Sequence, residues 1–269
     1  MLKIAVLGAS GRMGRALIEL IANADDLGLV GAVTETADPE LGMDAAEAAR
    51  LPAAGVLLTD DRAQALHDAH VAIDFTLPAA TVANVRACVE TGTPLVIGTT
   101  GLEAEQMDAM KEASRDIPLV FGRNMSIGVN VFTDLVRRAA TALGKDFDVE
   151  IGEAHHRHKV DAPSGTALAL GEAIAGARGQ TLDEVAIYAR HGTVGPRVPG
   201  TIGFSVVRAG DIVGDHEVLF VAPEESVSLR HHARDRKTFA RGALRAARWV
   251  AGQAPGFYGM ADVLGLDDG

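Results

Sequence analysis

The chain has 269 residues, of which 48% are hydrophobic and 23% charged, a composition typical of globular proteins that excludes wholesale disorder and a fibrous repeat. Its 36 acidic and 25 basic residues give a formal net charge of −11, which argues against nucleic-acid binding because such a chain repels phosphate backbones. The single cysteine, Cys88, excludes an intrachain disulfide, and no apolar run is long enough for a signal peptide or a membrane span, so we expect a soluble cytoplasmic protein.

The first half of the chain alternates short apolar runs with helical periodicity. Strands are predicted at 4–7, 27–33, 55–59, 71–75, 94–97 and 117–121, and helices at 12–22, 62–69, 79–90 and 103–114. Short strands that are apolar on both faces and separated by helices indicate a parallel sheet that is covered on both sides. This half is therefore predicted to be an α/β domain.

A glycine-rich loop, Gly8-Ala9-Ser10-Gly11-Arg12-Met13-Gly14, joins the first predicted strand to the first predicted helix. Glycines permit a sharp turn and let backbone N–H groups approach a pyrophosphate at the helix N-terminus. Glu35 follows the second strand, where an acid can bind the ribose hydroxyls of a dinucleotide. The G-x-x-G-x-x-G spacing also suits an ordinary tight turn, but strand, loop, helix, strand and acid in this order favour a Rossmann dinucleotide-binding domain.

The residue after Glu35 bears on the choice of dinucleotide. It is Thr36, so no adjacent arginine or lysine is present to neutralise a 2′-phosphate. We therefore expect NADH to bind at least as well as NADPH, with Arg12 as a candidate substitute cation.

Two further loops follow predicted strands of the same sheet. Gly98-Thr99-Thr100-Gly101 follows the strand at 94–97, and Gly122-Arg123-Asn124-Met125 follows the strand at 117–121. Ligands of open α/β sheets bind at the carboxyl ends of the strands. Both loops are therefore predicted to line the nicotinamide half of the cleft.

The second half of the chain has a different organisation. Helices are predicted at 129–143, 164–177 and 237–252, and strands at 147–154, 185–189, 202–208, 217–222 and 226–230. Consecutive strands without intervening helices favour an antiparallel or mixed sheet. We therefore predict a second, α+β domain with a mixed sheet.

The most informative stretch is Glu150–Ala167, around the start of the predicted helix at 164–177. It contains His155-His156-Arg157-His158-Lys159, a basic cluster without an acid, which suits an anionic substrate beside a proton donor. Pro163-Ser164-Gly165-Thr166 then begins the helix, and its backbone N–H groups form an anion site suited to a carboxylate. The two features predict a small molecule with two anionic groups.

Three other interpretations of the histidines compete with a substrate site. They could bind a metal, but no cysteine accompanies them and their spacing is not His-Glu-x-x-His, so no metal is predicted. Some could pack or face solvent, as we expect of His158. They could also provide polar groups at a subunit interface.

A second basic stretch runs from Arg230 to Arg248. Its basic residues are Arg230, Arg234, Arg236, Lys237, Arg241, Arg245 and Arg248. Lys237, Arg241 and Arg245 recur every four residues and so share one helix face, which favours a solvated surface. Nucleic-acid binding lacks supporting aromatic residues, and a role near the cofactor phosphates is left open.

Over essentially its whole length the sequence resembles the dihydrodipicolinate (4-hydroxy-tetrahydrodipicolinate) reductase family. The resemblance rests on the glycine loop, on Gly98–Gly101 and above all on the intact Glu150–Ala167 stretch. It extends to Arg197-Val198-Pro199-Gly200-Thr201-Ile202-Gly203-Phe204 and to Arg208-Ala209-Gly210-Asp211-Ile212-Val213-Gly214.

This resemblance implies an activity and an organisation. The activity is the reduction, by NADH or NADPH, of 4-hydroxy-tetrahydrodipicolinate to tetrahydrodipicolinate in the diaminopimelate route to lysine. The implied organisation is a Rossmann domain at 1–126, to which 236–269 returns, and a substrate-binding and oligomerisation domain at 127–235. The implied assembly is a homotetramer, and the implied substrate is a small dicarboxylate.

The resemblance also implies residue roles. His155 and Lys159 are expected to donate the proton. Carboxylate binding is expected of His156, Lys159, Gly165 and Thr166, to which the predicted helix start adds Ser164. Nucleotide binding is expected of Gly8, Ala9, Ser10, Gly11, Arg12, Met13, Glu35, Gly98, Thr99, Thr100, Gly122, Arg123, Asn124 and Met125.

Two other functions remain as alternatives. Another two-domain dehydrogenase, for example one acting on an amino-acid semialdehyde, would not account for the Glu150–Ala167 stretch. A nucleotide-sensing regulator would give His155 and Lys159 no functional role. It would also be expected to carry a DNA-binding domain.

Overall fold

The computed structural model describes residues 1–235 and 237–266, and within these ranges the chain divides into two compact units. Unit 1 comprises 1–127 and 237–266, and unit 2 comprises 128–235. The predicted return of the chain over 236–269 includes Arg236 and residues 267–269, which lie outside the described residues. No helix in the described ranges is both long and apolar enough to cross a membrane.

Unit 1 is a parallel sheet with helices on both faces. Its strands are β1 (Leu2–Leu7), β2 (Leu27–Val33), β3 (Leu58–Thr59), β4 (Val71–Asp74), β5 (Leu95–Ile97), β6 (Pro118–Phe121) and β12 (Gly256–Tyr258). Its helices are α1 (Arg12–Ala22), α2 (Ala45–Ala48), α3 (Arg62–Leu66), α4 (Pro78–Thr91), α5 (Ala104–Ala113), α9 (Lys237–Val250) and α10 (Met260–Leu264). The strands form one seven-stranded sheet in the order β12-β6-β5-β4-β1-β2-β3, with every pairing parallel, as predicted.

The apolar runs form strands here because both faces of the sheet are buried. In β1, Ile4 and Val6 pack into one core cluster, together with residues of α1 and α9. Ala5 and Leu7 alternate with them and pack into the other cluster, with residues of α4 and α5. An uninterrupted apolar strand is therefore what this sheet requires.

The strand order creates the crevice in which unit 1 can bind a ligand. From β1 the chain passes to β2 and β3 on one side, and later to β4, β5 and β6 on the other. The loops that leave β1 and β4 therefore diverge, which opens a crevice at the carboxyl ends of these strands.

Unit 2 contains a five-stranded mixed sheet. Its strands are β7 (Asp148–His155), β8 (Ala186–Ile187), β9 (Ile202–Arg208), β10 (Gly214–Val221) and β11 (Ser226–Ala233), and its helices are α6 (Ile127–Leu143), α7 (Gly165–Ala177) and α8 (Leu182–Val185). The order is β11-β10-β7-β9-β8; β9 is parallel to β7 and β8, and β10 is antiparallel to β7 and β11. The predicted mixed sheet is thus confirmed.

One face of this sheet carries the core of unit 2 and then becomes polar. Ile151, Phe204 and Val218 are neighbours across β7, β9 and β10 and belong to the same cluster as residues of α6 and α7. Because side chains alternate along a strand, Glu153 and His155 of β7 lie on the same face as Ile151. The end of β7 therefore presents polar groups at the edge of a buried apolar layer.

The structure differs from the prediction mainly in its short elements. Of the strand expected at 55–59, only the last two residues form a strand, β3. The short elements α2, α8, α10 and β12 were not predicted, because so few residues show no hydrophobic period. The strand predicted at 217–222 is β10, which begins earlier, at Gly214. Its first residues are polar and resemble a loop in sequence.

Close packing of α9 makes Gly242 sensitive to substitution. A Cβ atom there would lie 1.7 Å from the carbonyl oxygen of Met125, so we expect Gly242→Ala to lower the free energy of unfolding by about 2 kcal/mol or more. Gly176 of α7 is the matched control, since a Cβ there meets nothing within 4 Å and alanine should stabilise the helix by up to about 1 kcal/mol. Chemical denaturation measures both changes, and a Gly242→Ala protein as stable as wild type would contradict this packing.

Candidate active site

The glycine loop of unit 1 lies against the end of β4. Gly8 has a φ of +83°, which favours glycine, and a Cβ atom there would lie 2.9 Å from the carbonyl oxygen of Phe75. A Cβ atom on Gly14 would lie 2.2 Å from the carbonyl oxygen of Gly8. Side chains at these positions would therefore displace the loop from the sheet and from α1.

The start of α1 fits a pyrophosphate. Its N-cap is Gly11, which supplies no side-chain oxygen to the first N–H groups of the helix, and its first turn contains no acidic residue. A helix start of this kind presents N–H donors and the positive end of the helix dipole to an anion. The residues present thus fit the phosphates of a dinucleotide.

A short chain of hydrogen bonds joins the phosphate loop to the end of β2. The hydroxyls of Ser10 and Thr34 lie 2.7 Å apart, and Thr34 donates to Oδ2 of Asp38 at 2.5 Å. Hydrogen bonds from Ser10 and Thr34 hold the pKa of Asp38 below its usual value. Glu35 and Thr36 follow Thr34 and are both exposed, so their side chains are accessible to a ribose.

The two predicted nicotinamide loops line one cleft. Its volume is about 430 Å³. Of the predicted residues it is lined by Met13, Gly98, Thr99, Thr100, Arg123, Asn124 and Met125. Its other lining residues, which sequence reasoning missed, are Phe75, Thr76, Leu77, Pro78 and Phe239. The segment 75–78 directly follows β4, so the rule that identified the other two loops could have identified it as well.

A buried carboxyl group lies behind this cleft. Asp74, the last residue of β4, accepts from the backbone N–H and the hydroxyl of Thr76, each at 2.7 Å, and from the hydroxyl of Thr99 at 3.3 Å. Asn84 of α4 donates to its other oxygen at 2.9 Å. Burial raises the pKa of Asp74 despite these donors. Asp74 therefore anchors two of the loops that line the cleft.

The polar site of unit 2 is centred on Glu153, which is buried. Its Oε1 accepts from Nη2 of Arg208 at 2.7 Å and from the N–H of Ser164 at 3.0 Å. Its Oε2 accepts from Nη1 of Arg208 at 2.8 Å and from Nδ1 of His155 at 2.6 Å. Burial raises the pKa of Glu153, but these donors outweigh that effect and hold it below its usual value. Glu153 is therefore an ionised carboxylate.

Strand register brings these groups together. Across the parallel pair of β7 and β9, His155 is opposite Arg208. Across the antiparallel pair of β7 and β10, Glu153 is opposite His216. Groups far apart in sequence thus become neighbours around one carboxylate.

His216 is a neutral histidine beside His155. The two rings are 5.2 Å apart and nearly perpendicular. Burial, followed by the proximity of His155, lowers the pKa of His216 to about 4. The hydroxyl of Ser164 accepts from the N–H of Ala167 at 3.2 Å and lies 3.2 Å from Nε2 of His216, to which it can donate. Ser164 therefore caps α7, which begins at Gly165, and fixes the His216 ring.

The basic cluster at 155–159 is more nearly neutral than its sequence indicates. Nζ of Lys159 lies 2.8 Å from Oδ1 of Asp161, and this contact lowers the pKa of Asp161. The acids that flank the cluster, Glu153 and Asp161, therefore balance cations of the site, a pairing that residue counts within 155–159 do not reveal. His158 is exposed, as expected.

The remaining predicted substrate residues lie close by in the chain. His156 is half-buried, and Gly165 and Thr166 are the first two residues of α7, directly after Ser164. Sequence reasoning missed Glu153, Arg208 and His216. Glu153 could have been found from its position two residues before His155 on a predicted strand, which puts both side chains on one face. Arg208 and His216 reach the site only through strand pairing. No group of three or more His, Cys, Asp or Glu residues in the described ranges is placed to hold a metal ion.

The helical part of the second basic stretch, from Lys237 to Arg248, lies on α9 of unit 1. Lys237 pairs with Glu19 at 2.7 Å, and Arg248 pairs with Asp26 at 2.7 Å. Arg241 and Arg245 are exposed. This arrangement agrees with a solvated helix face, while Arg236 lies outside the described residues.

Both parts of the chain match sequence models of one family. The model described as dihydrodipicolinate reductase, N-terminus, matches residues 2–125, and the model described as dihydrodipicolinate reductase, C-terminus, matches residues 128–264. The 4-hydroxy-tetrahydrodipicolinate reductase of Alkalilimnicola ehrlichii is 53% identical over 98% of this chain and 99% of its own. The enzyme of the same name from Ruegeria pomeroyi is 51% identical over 98% of each chain.

Solved structures show the same fold. A dipicolinate-bound dihydrodipicolinate reductase from Paenisporosarcina sp. TG-14 superposes with a TM-score of 0.77 at 24% identity, covering 98% of this chain and 100% of its own. An amine dehydrogenase from Mycobacterium smegmatis superposes with a TM-score of 0.61 at 14% identity, covering 95% and 94%. Both likenesses concern the fold alone.

The buried His216 predicts a pH dependence of stability. Its pKa of about 4 is below the ordinary value of 6.5, so the unfolded chain binds more protons than the folded one between these pH values. Stability is therefore lost as pH falls through this window, by about 2 kcal/mol between pH 7 and pH 5 from this residue. Urea denaturation at both pH values should show a smaller loss for His216→Gln than for wild type, and equal losses would contradict the burial argument.

Proposed function

The chain belongs to the dihydrodipicolinate reductase family, and from that membership we propose that it reduces 4-hydroxy-tetrahydrodipicolinate to tetrahydrodipicolinate with NADH or NADPH. This is an oxidoreductase step of the diaminopimelate route to lysine. The observation that carries the proposal is the placement of the buried Glu153, its half-buried partner His155, Lys159 and the start of α7 within one stretch of unit 2. These groups supply proton donors and an anion site, which are what reduction of a cyclic imine dicarboxylate requires.

Unit 1 supplies the coenzyme site in this proposal. The phosphates are held by Gly8, Ala9, Ser10, Gly11, Arg12 and Met13, the ribose by Glu35, and the nicotinamide end by Gly98, Thr99, Thr100, Gly122, Arg123, Asn124 and Met125. When bound, the reduced nicotinamide supplies a hydride. The close backbone approaches at Gly8 and Gly14 and the start of α1 without a side-chain cap support this assignment.

Unit 2 binds the dicarboxylate. Backbone N–H groups at Gly165 and Thr166, held in place by the Ser164 cap, bind one carboxylate. His156 and Lys159 contribute to its binding, and Lys159 exchanges part of its contact with Asp161 for the substrate. Two cations of the site already face carboxylates, so protonation of His155 supplies the additional positive charge that a dianion favours.

The proton comes from His155 or Lys159. Addition of hydride to a conjugated imine builds up electron density that a nearby acid must neutralise. A histidine is suited to this because its ordinary pKa is close to neutrality. His155 is held by Glu153 through Nδ1, so Nε2 is the atom available for donation.

We further propose a cytoplasmic homotetramer with neither nucleic-acid nor membrane partners. The open face of the unit 2 sheet carries exposed Val207 and Val221, which suit a contact between subunits. The net charge of −11 argues against a nucleic-acid partner. The lone, buried Cys88 fits the reducing environment of the cytoplasm.

The proposed proton donors predict distinct kinetic effects. His155→Gln should lower turnover by about 10²- to 10⁴-fold with little change in NADH binding, since it removes an acid but no coenzyme contact. Lys159→Ala should lower turnover and also raise the Michaelis constant for the substrate. Oxidation of NADH on addition of enzymatically generated 4-hydroxy-tetrahydrodipicolinate measures both, and coenzyme binding is followed by fluorescence.

The exposed His158 provides the matched control for these variants. His158→Gln changes the same residue type in the same cluster, and its turnover should stay near that of wild type. Near-normal turnover of His155→Gln would contradict its role as the acid. Failure of the wild-type protein to oxidise NADH with this substrate would contradict the proposed reaction itself.

The Glu35-Thr36 pair predicts the coenzyme preference. We expect the Michaelis constant for NADH to be no higher than that for NADPH, because Glu35 accepts from ribose hydroxyls and repels a 2′-phosphate. Thr36→Arg should lower the Michaelis constant for NADPH, and Thr36→Gln, which adds length without charge, is the control. A wild-type protein with a much lower Michaelis constant for NADPH than for NADH would contradict this assignment.

A further inference from the structure

We propose that Glu153 is a positioning residue for the reaction: it holds His155 with its proton on Nδ1, so that Nε2 is the donating atom, and Arg208 is the fixed counter-charge of Glu153. This inference rests on the proposed function, in which His155 delivers the proton. None of the residue roles implied by the family resemblance includes Glu153 or Arg208.

The first support is the saturation of the Glu153 carboxylate. It accepts four hydrogen bonds, two from Arg208, one from the N–H of Ser164 and one from His155. The arginine and backbone groups can only donate, and an ionised carboxylate can only accept. Nδ1 of His155 must therefore be the donor at 2.6 Å, which fixes the tautomer of its neutral ring.

The second support is the surroundings of Nε2. This atom makes no hydrogen bond to any described residue, whereas Nδ1 is fully engaged. A Cβ atom on Gly214 would lie 3.1 Å from Nε2, so the glycine at this position leaves the donating atom uncrowded. The ring is therefore oriented with its engaged nitrogen against Glu153 and its other nitrogen open to a reacting group.

The third support concerns the charge of Arg208. Its guanidinium makes a two-pronged contact with Glu153 and also donates to the carbonyl oxygen of Asp161 at 2.7 Å. A lone carboxylate would bind an imidazolium strongly and oppose release of its proton. Sharing Glu153 with a permanent cation weakens that hold, so that the carboxylate can orient the ring without retaining its proton.

The other charged and titratable neighbours of His155 leave Glu153 as its main anionic partner. On β9 the neighbour is Arg208, and on β10 it is His216, which burial keeps neutral. In the loop after β7, Lys159 is paired with Asp161. At the start of α7 the neighbour is the uncharged Ser164. Removal of the Glu153 charge should therefore act on His155 directly.

The test compares Glu153→Gln, Glu153→Asp and His155→Gln in the NADH oxidation assay across pH. Glu153→Gln should lower turnover by about 10- to 100-fold while the substrate Michaelis constant changes much less. The pH at which turnover falls on the alkaline side should move downward, because an imidazolium loses its anionic partner. Glu153→Asp keeps the charge and should leave that pH near its wild-type position, even where turnover is reduced.

A double-mutant cycle separates positioning from a structural role. If Glu153 acts through His155, adding Glu153→Gln to His155→Gln should cost less than about twofold in turnover, because the partner is already gone. Glu217→Gln is the matched control, since it removes the same charge from a Glu217–Arg230 pair on β10 and β11 of the same sheet. It should leave the pH profile unchanged.

The outcomes distinguish this inference from the proposed function. The positioning role alone would be overturned if His155→Gln is slow but Glu153→Gln lowers turnover by the same factor with and without His155. An unchanged pH profile for Glu153→Gln would overturn it as well. Near-normal turnover of His155→Gln would overturn both. If circular dichroism shows that Glu153→Gln does not fold, the cycle is run with Glu153→Asp, where multiplicative effects would again overturn the inference.

Discussion

Unit 2 depends on a single buried anion, the carboxylate of Glu153. A charge removed from water is tolerated only where donors replace its hydration, and here four hydrogen bonds come from β7, β9 and the start of α7. The carboxylate in turn orients its donors, because Arg208 and His155 both bind its oxygens. Removal of the carboxylate would leave the Arg208 charge without its partner. It would also remove the acceptor shared by His155 of β7, Arg208 of β9 and the N–H of Ser164 at the start of α7.

The cleft of unit 1 is organised by a related constraint. Asp74 ends a buried strand, and its donors hold the loops after β4 and β5 in position. Here burial prevails and raises the pKa of the carboxyl group, whereas at Glu153 a paired guanidinium prevails and lowers it. The donors at Glu153 include a cation, which stabilises a negative charge more than the hydroxyls and amides at Asp74 do. One carboxyl group therefore serves as an anchor for loops, and the other also provides an electrostatic partner.

Charge illustrates how far composition can guide an interpretation. The net charge of −11 argues against polyanionic partners, while the basic cluster at 155–159 argues for a small anion. In the folded protein Lys159 faces Asp161 and Arg208 faces Glu153. Local charge around the cluster is thus nearly balanced, which the sequence of 155–159 does not show. Average charge, local sequence charge and charge in space are three different quantities.

The sequence by itself determined the alternation of apolar strands and helices, the parallel sheet of unit 1, the mixed sheet of unit 2 and the loops beside β1, β5 and β6. These features follow from local periodicity and from glycine spacing, which act over a few residues. Only the tertiary structure brought Arg208 to Glu153 across 55 residues of sequence, and His216 to Ser164 across 52. Strand register decides such contacts, because a shift of one residue would turn each side chain to the opposite face of the sheet, and register depends on how the whole apolar layer packs.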